Sequence, residues 1–294
     1  IDVLAYNTYI TSYNANMVSN EVFIDSATLR ENVVSLARNI GYTPFSKRAS
    51  QANISFFVDT SNYSDIPQTI TLNKGIVASS NSFANESYTF AILDDVTVPV
   101  SNNEAIFDNV AIYEGVYLTS TFTVNSFDPN QRFILENSGI DLSTLRVVVK
   151  PSESSTVTRK YIKANSLFEV NSTSPVYFCQ EVEGERYELI FGDGIFGKKL
   201  EAPSFIQVSY LVTSGELANG IQNFNFSGKL TSSRDNISIS SGVSLLTTLT
   251  PSSLGQSIES VESIKKYAPQ IYSSQKRAVT TADFEALIPT LYAE

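Results

Sequence analysis

Between residues 50 and about 230 the apolar side chains fall on alternate positions, and before about 45 and after about 257 they recur at spacings of three and four. Period two sends successive side chains to opposite faces of a strand, whereas a period near 3.6 gathers them on one face of a helix. A chain that carries both patterns in separate blocks is restricted to an α+β fold. We expect an N-terminal helical pair, a central mainly antiparallel β-region and C-terminal helices. The blocks are residues 1–48, residues 49–230 with room for two β-subdomains, and residues 231–294, a linker followed by a truncated helical region.

In the central block Ile54, Phe56 and Val58 alternate with Ser55, Phe57 and Asp59. Further strand candidates are Thr69–Leu72, Tyr88–Ile92, Val110–Thr123, Leu145–Val149, Leu167–Val170, Glu188–Phe191 and Ile206–Val212. Asn, Gly, Asp, Ser and Pro bound them and supply turn conformations. No long helical pattern separates them, so most pairing is expected to be antiparallel. A sandwich, a barrel-like sheet or two small subdomains all fit, with Asn137–Asp141 as a candidate seam. Thr247–Ser257 reads as a connector.

At the N-terminus Val3, Tyr6, Ile10, Tyr13 and Met17 form one narrow helical stripe. Two heptads leave two readings open: packing on this chain's own second helix, or a bundle between subunits. That second helix is expected from near Asp25–Ser26, with Thr28 and Glu31 as a capping box. Leu29, Val33, Leu36, Ala37 and Ile40 make its apolar face, Gly41 its C-terminal cap, and Pro44 blocks continuation. At the other end Ile258, Val261, Ile264 and Tyr267 share a face and Pro269 is expected to end the helix. Thr280 with Asp283 reads as an N-cap, and Phe284, Leu287 and Ile288 point to a core.

The chemistry available is narrow. The chain has no His, so Ser-His and Cys-His nucleophile pairs within it are excluded. The single cysteine, Cys179, lies in the apolar run Val176–Cys179 and reads as a small buried hydrophobe. A net charge of −10 disfavours nucleic acid, and basic clusters such as Lys198-Lys199 and Lys265-Lys266 are short. No apolar run approaches the roughly 20 residues of a membrane span. Ile1 is not a start Met and Glu294 follows closely on a helical pattern, so a fragment is expected. Charged residues are 17%, below the usual quarter or so, and the surface leans on Ser, Thr and Asn. In such a chain Asn-x-Ser/Thr triplets at Asn53, Asn62, Asn85, Asn171, Asn225 and Asn236 are expected by chance.

Gly192-Asp193-Gly194-Ile195-Phe196-Gly197 matches a dinucleotide fingerprint and, with Lys198, nearly matches a phosphate loop. Both motifs need a helix to follow, because its N-terminus holds the phosphates. Here Lys199-Leu200-Glu201-Ala202-Pro203 leads into the alternating run Phe205–Tyr210, so the motif reads as a glycine turn between antiparallel strands Tyr187–Phe191 and Ile206–Val212. Phe191 and Phe196 are expected to pin it. The acidic run Glu181–Arg186 reads as a solvated hairpin turn. Asp193 has too few oxygen neighbours for Ca²⁺, and no cofactor or metal is expected.

Several stretches resemble the baseplate wedge, or baseplate J-like, proteins of contractile-tailed bacteriophages. At the C-terminus they are Glu259, Ser260, Val261, Glu262 and Ile264 leading into Tyr267-Ala268-Pro269, then Arg277–Leu287. Near residue 190 the Gly-Asp-Gly-x-Phe-Gly turn precedes a strand ending in Tyr210. At the start they are Leu4–Thr8, Asn14–Met17, Glu21 with Phe23, Leu29-Arg30 and Gly41-Tyr42. The resemblance implies a non-catalytic subunit of the virion tail baseplate, assembled in the host cytoplasm, that pairs with a second copy and binds other wedge proteins. It favours the inter-subunit reading of Tyr6, Ile10, Tyr13 and Met17 and adds Arg277, Asp283 and Phe284 as candidate contacts. The rival expectations are a carbohydrate-active tail enzyme, which the lack of His and Trp disfavours, and a β-rich surface adhesin, which composition does not separate.

Overall fold

The computed structural model describes residues 2–63, 66–128, 130–164, 170–233, 238–239, 241–275 and 277–291. Two helices open the chain: α1 (Asp2–Glu21) and α2 (Arg30–Asn39). The strands of a first sheet follow: β1 (Gln51–Asp59), β2 (Thr69–Leu72), β3 (Gly75–Ser80), β4 (Thr89–Ile92), β5 (Val96–Ser101) and β6 (Glu104–Glu114). A second sheet is then completed without interruption from β7 (Val116–Thr123), β8 (Phe133–Leu135), β9 (Ile140–Lys150), β10 (Arg159–Lys163), β11 (Val176–Val182), β12 (Arg186–Phe191) and β13 (Phe205–Val212). The chain returns to the first sheet with β14 (Phe224–Phe226), β15 (Leu230–Ser232), β16 (Ser238–Ile239) and β17 (Thr247–Ser253). It ends in α3 (Val261–Ser274) and α4 (Thr281–Leu291).

The class is therefore α+β with mainly antiparallel sheets, and β10–β11 is the parallel pair among the described residues. The second sheet is inserted between β6 and β14 of the first. Each sheet has its own core. In β1 the expected alternation holds: Ile54, Phe56 and Val58 are buried, and Phe56 stacks on Phe107 of β6 at 4.7 Å. Leu145, Val147, Val149, Leu189, Ile206 and Val208 fill the second core. A third, smaller core joins Val33, Val34 and Ala37 of α2 to Ile264, Ala268 and Ile271 of α3.

The crossing between sheets corrects one expected strand. Val110–Thr123 is not continuous; Gly115 divides it, at φ +137°, a conformation side chains resist. A Cβ there would lie 2.6 Å from the carbonyl oxygen of Val212, on the returning strand. The two passages of chain thus touch at one neck. Glu114, buried, accepts from the Thr213 hydroxyl and, at 3.0 Å, from the Ser214 amide. Asn137–Asp141 lies inside the second sheet, where Asp141 accepts from the Ala49 amide at 2.8 Å.

Other local expectations are also corrected. β12 and β13 do not pair: β12 lies between β11 and β8, and β13 between β7 and β9. The 247–257 connector contains β17, which pairs with β1 and satisfies backbone groups that a free linker would leave to water. Pro269 lies within α3 rather than ending it. Its missing amide costs about 3 kcal/mol in a helix interior; Ala268 and Ile271, on both sides of it, are buried in the small core with α2. Phe284 and Ile288 are about half exposed, so they are not core residues. Residues 167–169 of the expected strand Leu167–Val170, and Asn236, lie outside the described residues.

Candidate assembly interface

α1 has 20 residues and none of them is buried. Tyr6 is 67% exposed, Tyr13 57% and Met17 44%, while Ile10 is half-buried. The stripe does not cover α2, whose apolar face goes to α3. At about 100° per residue, Leu4 and Val18 form a second exposed group, roughly 130° around from the first. A helix this long gains little from intrinsic propensity, and helices in water are held mainly by packing of an apolar face. Here that packing is missing within the chain.

Glu21 ties the end of α1 to the start of α2. Its carboxylate accepts from the Thr28 amide at 2.8 Å, the Thr28 hydroxyl at 2.7 Å, the Leu29 amide at 3.3 Å and the Asn32 side chain at 2.8 Å. These donors hold its pKa down to about 2. The expected capping box is corrected accordingly. α2 starts at Arg30, its N-cap Leu29 offers no side chain, and Glu21 takes the place of Glu31. At the other end Gly41, at φ +81°, closes α2 as expected, with its amide on the Arg38 carbonyl and the Tyr42 amide on that of Ala37.

The resembling stretches from the two ends of the chain meet beside α2. The buried Glu259 carboxylate accepts from the Tyr42 hydroxyl at 2.7 Å, the Ser263 hydroxyl at 2.7 Å and the Phe45 amide at 3.2 Å. Burial still raises its pKa above the ordinary carboxylate value. Tyr42 is raised as well, by burial first and by this bond second. Arg30 grips Glu181 of β11 with two bonds, 2.7 and 3.1 Å, and also donates to the Glu259 carbonyl. Glu181, only 6% exposed, is therefore not part of a solvated turn. Sequence reasoning missed this pair because the partners are far apart in the chain.

At the C-terminal end Asp283 accepts from the amides of Val279 and Thr280, and its own amide bonds the Thr280 hydroxyl. This reciprocal cap is the one expected from sequence, and the two amide bonds lower the Asp283 pKa. Arg277 is exposed, with its amide on the Ser274 carbonyl, and Phe284 is 51% exposed. Phe284 lines a groove that no α1 residue reaches, so Phe284 and the α1 stripe lie on separate surfaces.

The glycine motif is a turn without a helix behind it. Asp193 accepts from the amides of Ile195 and Phe196, and the Gly197 amide bonds the Asn171 carbonyl. A Cβ on Gly192 would lie 2.2 Å from the Gly197 backbone, which explains a glycine there. Phe191 packs against Phe133 and Tyr161, but Phe196 is about half exposed, contrary to expectation. Tyr210 is buried, with its hydroxyl on Asn137 at 2.8 Å. Burial pushes the Cys179 thiol up to about 12, so it is no thiolate nucleophile at neutral pH. Among the described residues no three His, Cys, Asp or Glu side chains cluster as metal ligands. No helix among them is long and apolar enough to cross a membrane.

These features describe an α+β protein whose first helix is unburied and joins a firmly tied helical cap. No protein-family model matches the sequence. Over 305 aligned residues, however, the chain is 26% identical to the baseplate wedge protein gp6 of Enterobacteria phage T4, covering 98% of this chain and 44% of that relative. The chain thus spans less than half the length of the curated relative it matches. This likeness over nearly the whole chain supports a baseplate wedge-like protein with a structural role.

Proposed function

We propose that the protein is a structural subunit of a phage tail baseplate wedge, and that α1 is its main assembly surface, docking a second copy and other wedge proteins. The observation that carries this reading is the 20-residue helix with no buried residue and with Tyr6, Tyr13 and Met17 exposed. Large apolar side chains grouped in exposed positions on one helix suit protein contact. Fully burying a large apolar side chain contributes about 1.5–3 kcal/mol, while association costs about 4–15 kcal/mol in lost freedom. Three side chains alone would barely balance that cost. The contact must therefore use most of α1, and its two exposed groups suit contact with more than one neighbouring helix. Arg277, Asp283 and Phe284 form the secondary candidate contact. In the assembled ring these interfaces would couple host attachment to sheath contraction by repacking between two states. The role is structural rather than enzymatic, and its place is the tail baseplate of the virion.

The test is solution mass by light scattering across a concentration series, for the protein and for the Y6A/Y13A/M17A variant, with and without co-expressed wedge proteins. A defined oligomer or stoichiometric complex that the variant loses, with its β-sheet signal intact, supports the reading. A monomer that ignores wedge partners favours the adhesin reading. Loss of the β-sheet signal in the variant would show that these residues support the fold and not an interface.

A further inference from the structure

We propose that a second, cationic surface of this acidic protein docks an acidic, apolar-anchored segment of another protein. The surface is a groove of about 1950 Å³ between the helical cap and the solvent face of the second sheet. Pairing of β9 with β10 puts Arg146, Lys150 and Lys160 on that face, with Val148 and Ile162 between them. Phe284 and Ile288 of α4 form the apolar side, and both are about half exposed.

Charge selects the occupant. The protein carries −10 overall, yet seven Lys and Arg line this groove against three Asp. One of the three, Asp141, is buried and already bonded to Ala49 and Ser143. Arg146 meets Asp94 only at 3.8 Å, and Lys74, Lys150, Lys160 and Lys163 make no ion pair among the described residues. A concave cationic surface of this kind steers an anionic partner and fixes its orientation. Size argues against a small ligand, since such sites occupy roughly 300–1,000 Å³. A nucleic acid would set a dense phosphate line against the rest of an acidic surface and leave the Phe284–Ile288 side unused. A polypeptide with carboxylates and a few apolar anchors satisfies both halves. No α1 residue lines the groove, so its test is independent of α1; through Phe284 the inference deepens the secondary contact proposed above and rests on that reading.

The probe is a fluorescein-labelled helical peptide of Glu with Leu at i, i+3, i+4 spacing. Controls are the same peptide with Lys for Glu and a single-stranded DNA of similar length. Anisotropy is read with the purified protein at low and high salt. The acidic peptide is expected to bind and to weaken with salt, while neither control binds. K74E/K150E/K160E reverses three rim charges and should weaken it severalfold or more, with the loss largest at low salt and an unchanged melting temperature. F284S should weaken it at high salt as well. No binding of the acidic peptide, equal binding by the triple variant, or preference for DNA overturns the proposal. So does self-association that the triple variant loses, which would make a second copy the occupant.

Discussion

Replacing Arg30 by Ala should undock the helical cap from the second sheet. Arg30 is 17% exposed and Glu181 6%, and they meet through two bonds of 2.7 and 3.1 Å. An exposed pair would be worth about 0.2–1 kcal/mol. Removing one member of a buried pair costs about 3–5 kcal/mol, because the remaining charge has no partner. Burial puts this site in the second class, and the partial exposure of Arg30 puts it at the lower end, near 3 kcal/mol. Glu181→Gln in the same chain removes the stranded charge and should recover a good part of the loss. Two sheets and a cap need not unfold in one step. The assay is therefore hydrogen exchange of the α2 and α3 amides in the four proteins of the cycle, with the β1 amides as internal reference. A loss below about 1 kcal/mol, or no recovery on adding Glu181→Gln, would refute the view that this pair anchors the cap.

Gly115→Ala should destabilise by about 2 kcal/mol or more, from a strained φ of +137° and a Cβ 2.6 Å from the Val212 carbonyl oxygen. Gly75→Ala, at φ +116° with open space around it, should cost less, and equal melting temperatures for the two would contradict the crossing geometry. Glu259 has a folded pKa above its ordinary 4.5, so the folded state holds that proton more tightly than the unfolded chain. Its contribution is fully present below about 4.5 and is lost as pH rises through the folded value. The melting temperature of the protein minus that of Glu259→Gln should fall over that window, and a flat or rising difference would contradict the burial assignment.

Local signals were the legible ones. The alternation of Ile54, Phe56 and Val58, the Gly41 closure of α2 and the Thr280–Asp283 cap each depend on residues within a few positions, so spacing alone exposes them. Gly115 was hidden inside a run that reads as one strand, because the reason for a glycine there is the carbonyl of Val212, almost a hundred residues later. The cap on α2 was misplaced because Glu21 reaches it from another helix. Likewise the groove's cations are scattered through the sequence: Lys74, Lys150 and Lys160 converge only once the sheets are formed. The stripe on α1 was visible at once, but only the fold shows that α2 spends its apolar face on α3 and leaves the stripe uncovered.

The most direct test of the central claim is hydrogen exchange of the α1 amides at a series of protein concentrations, with mass measured in parallel. If α1 is an assembly surface, its amides exchange quickly where the mass is monomeric and become protected as oligomer or wedge complex forms, while β1 stays unchanged. Protection of α1 in the monomer, or continued fast exchange in the complex, would contradict the account.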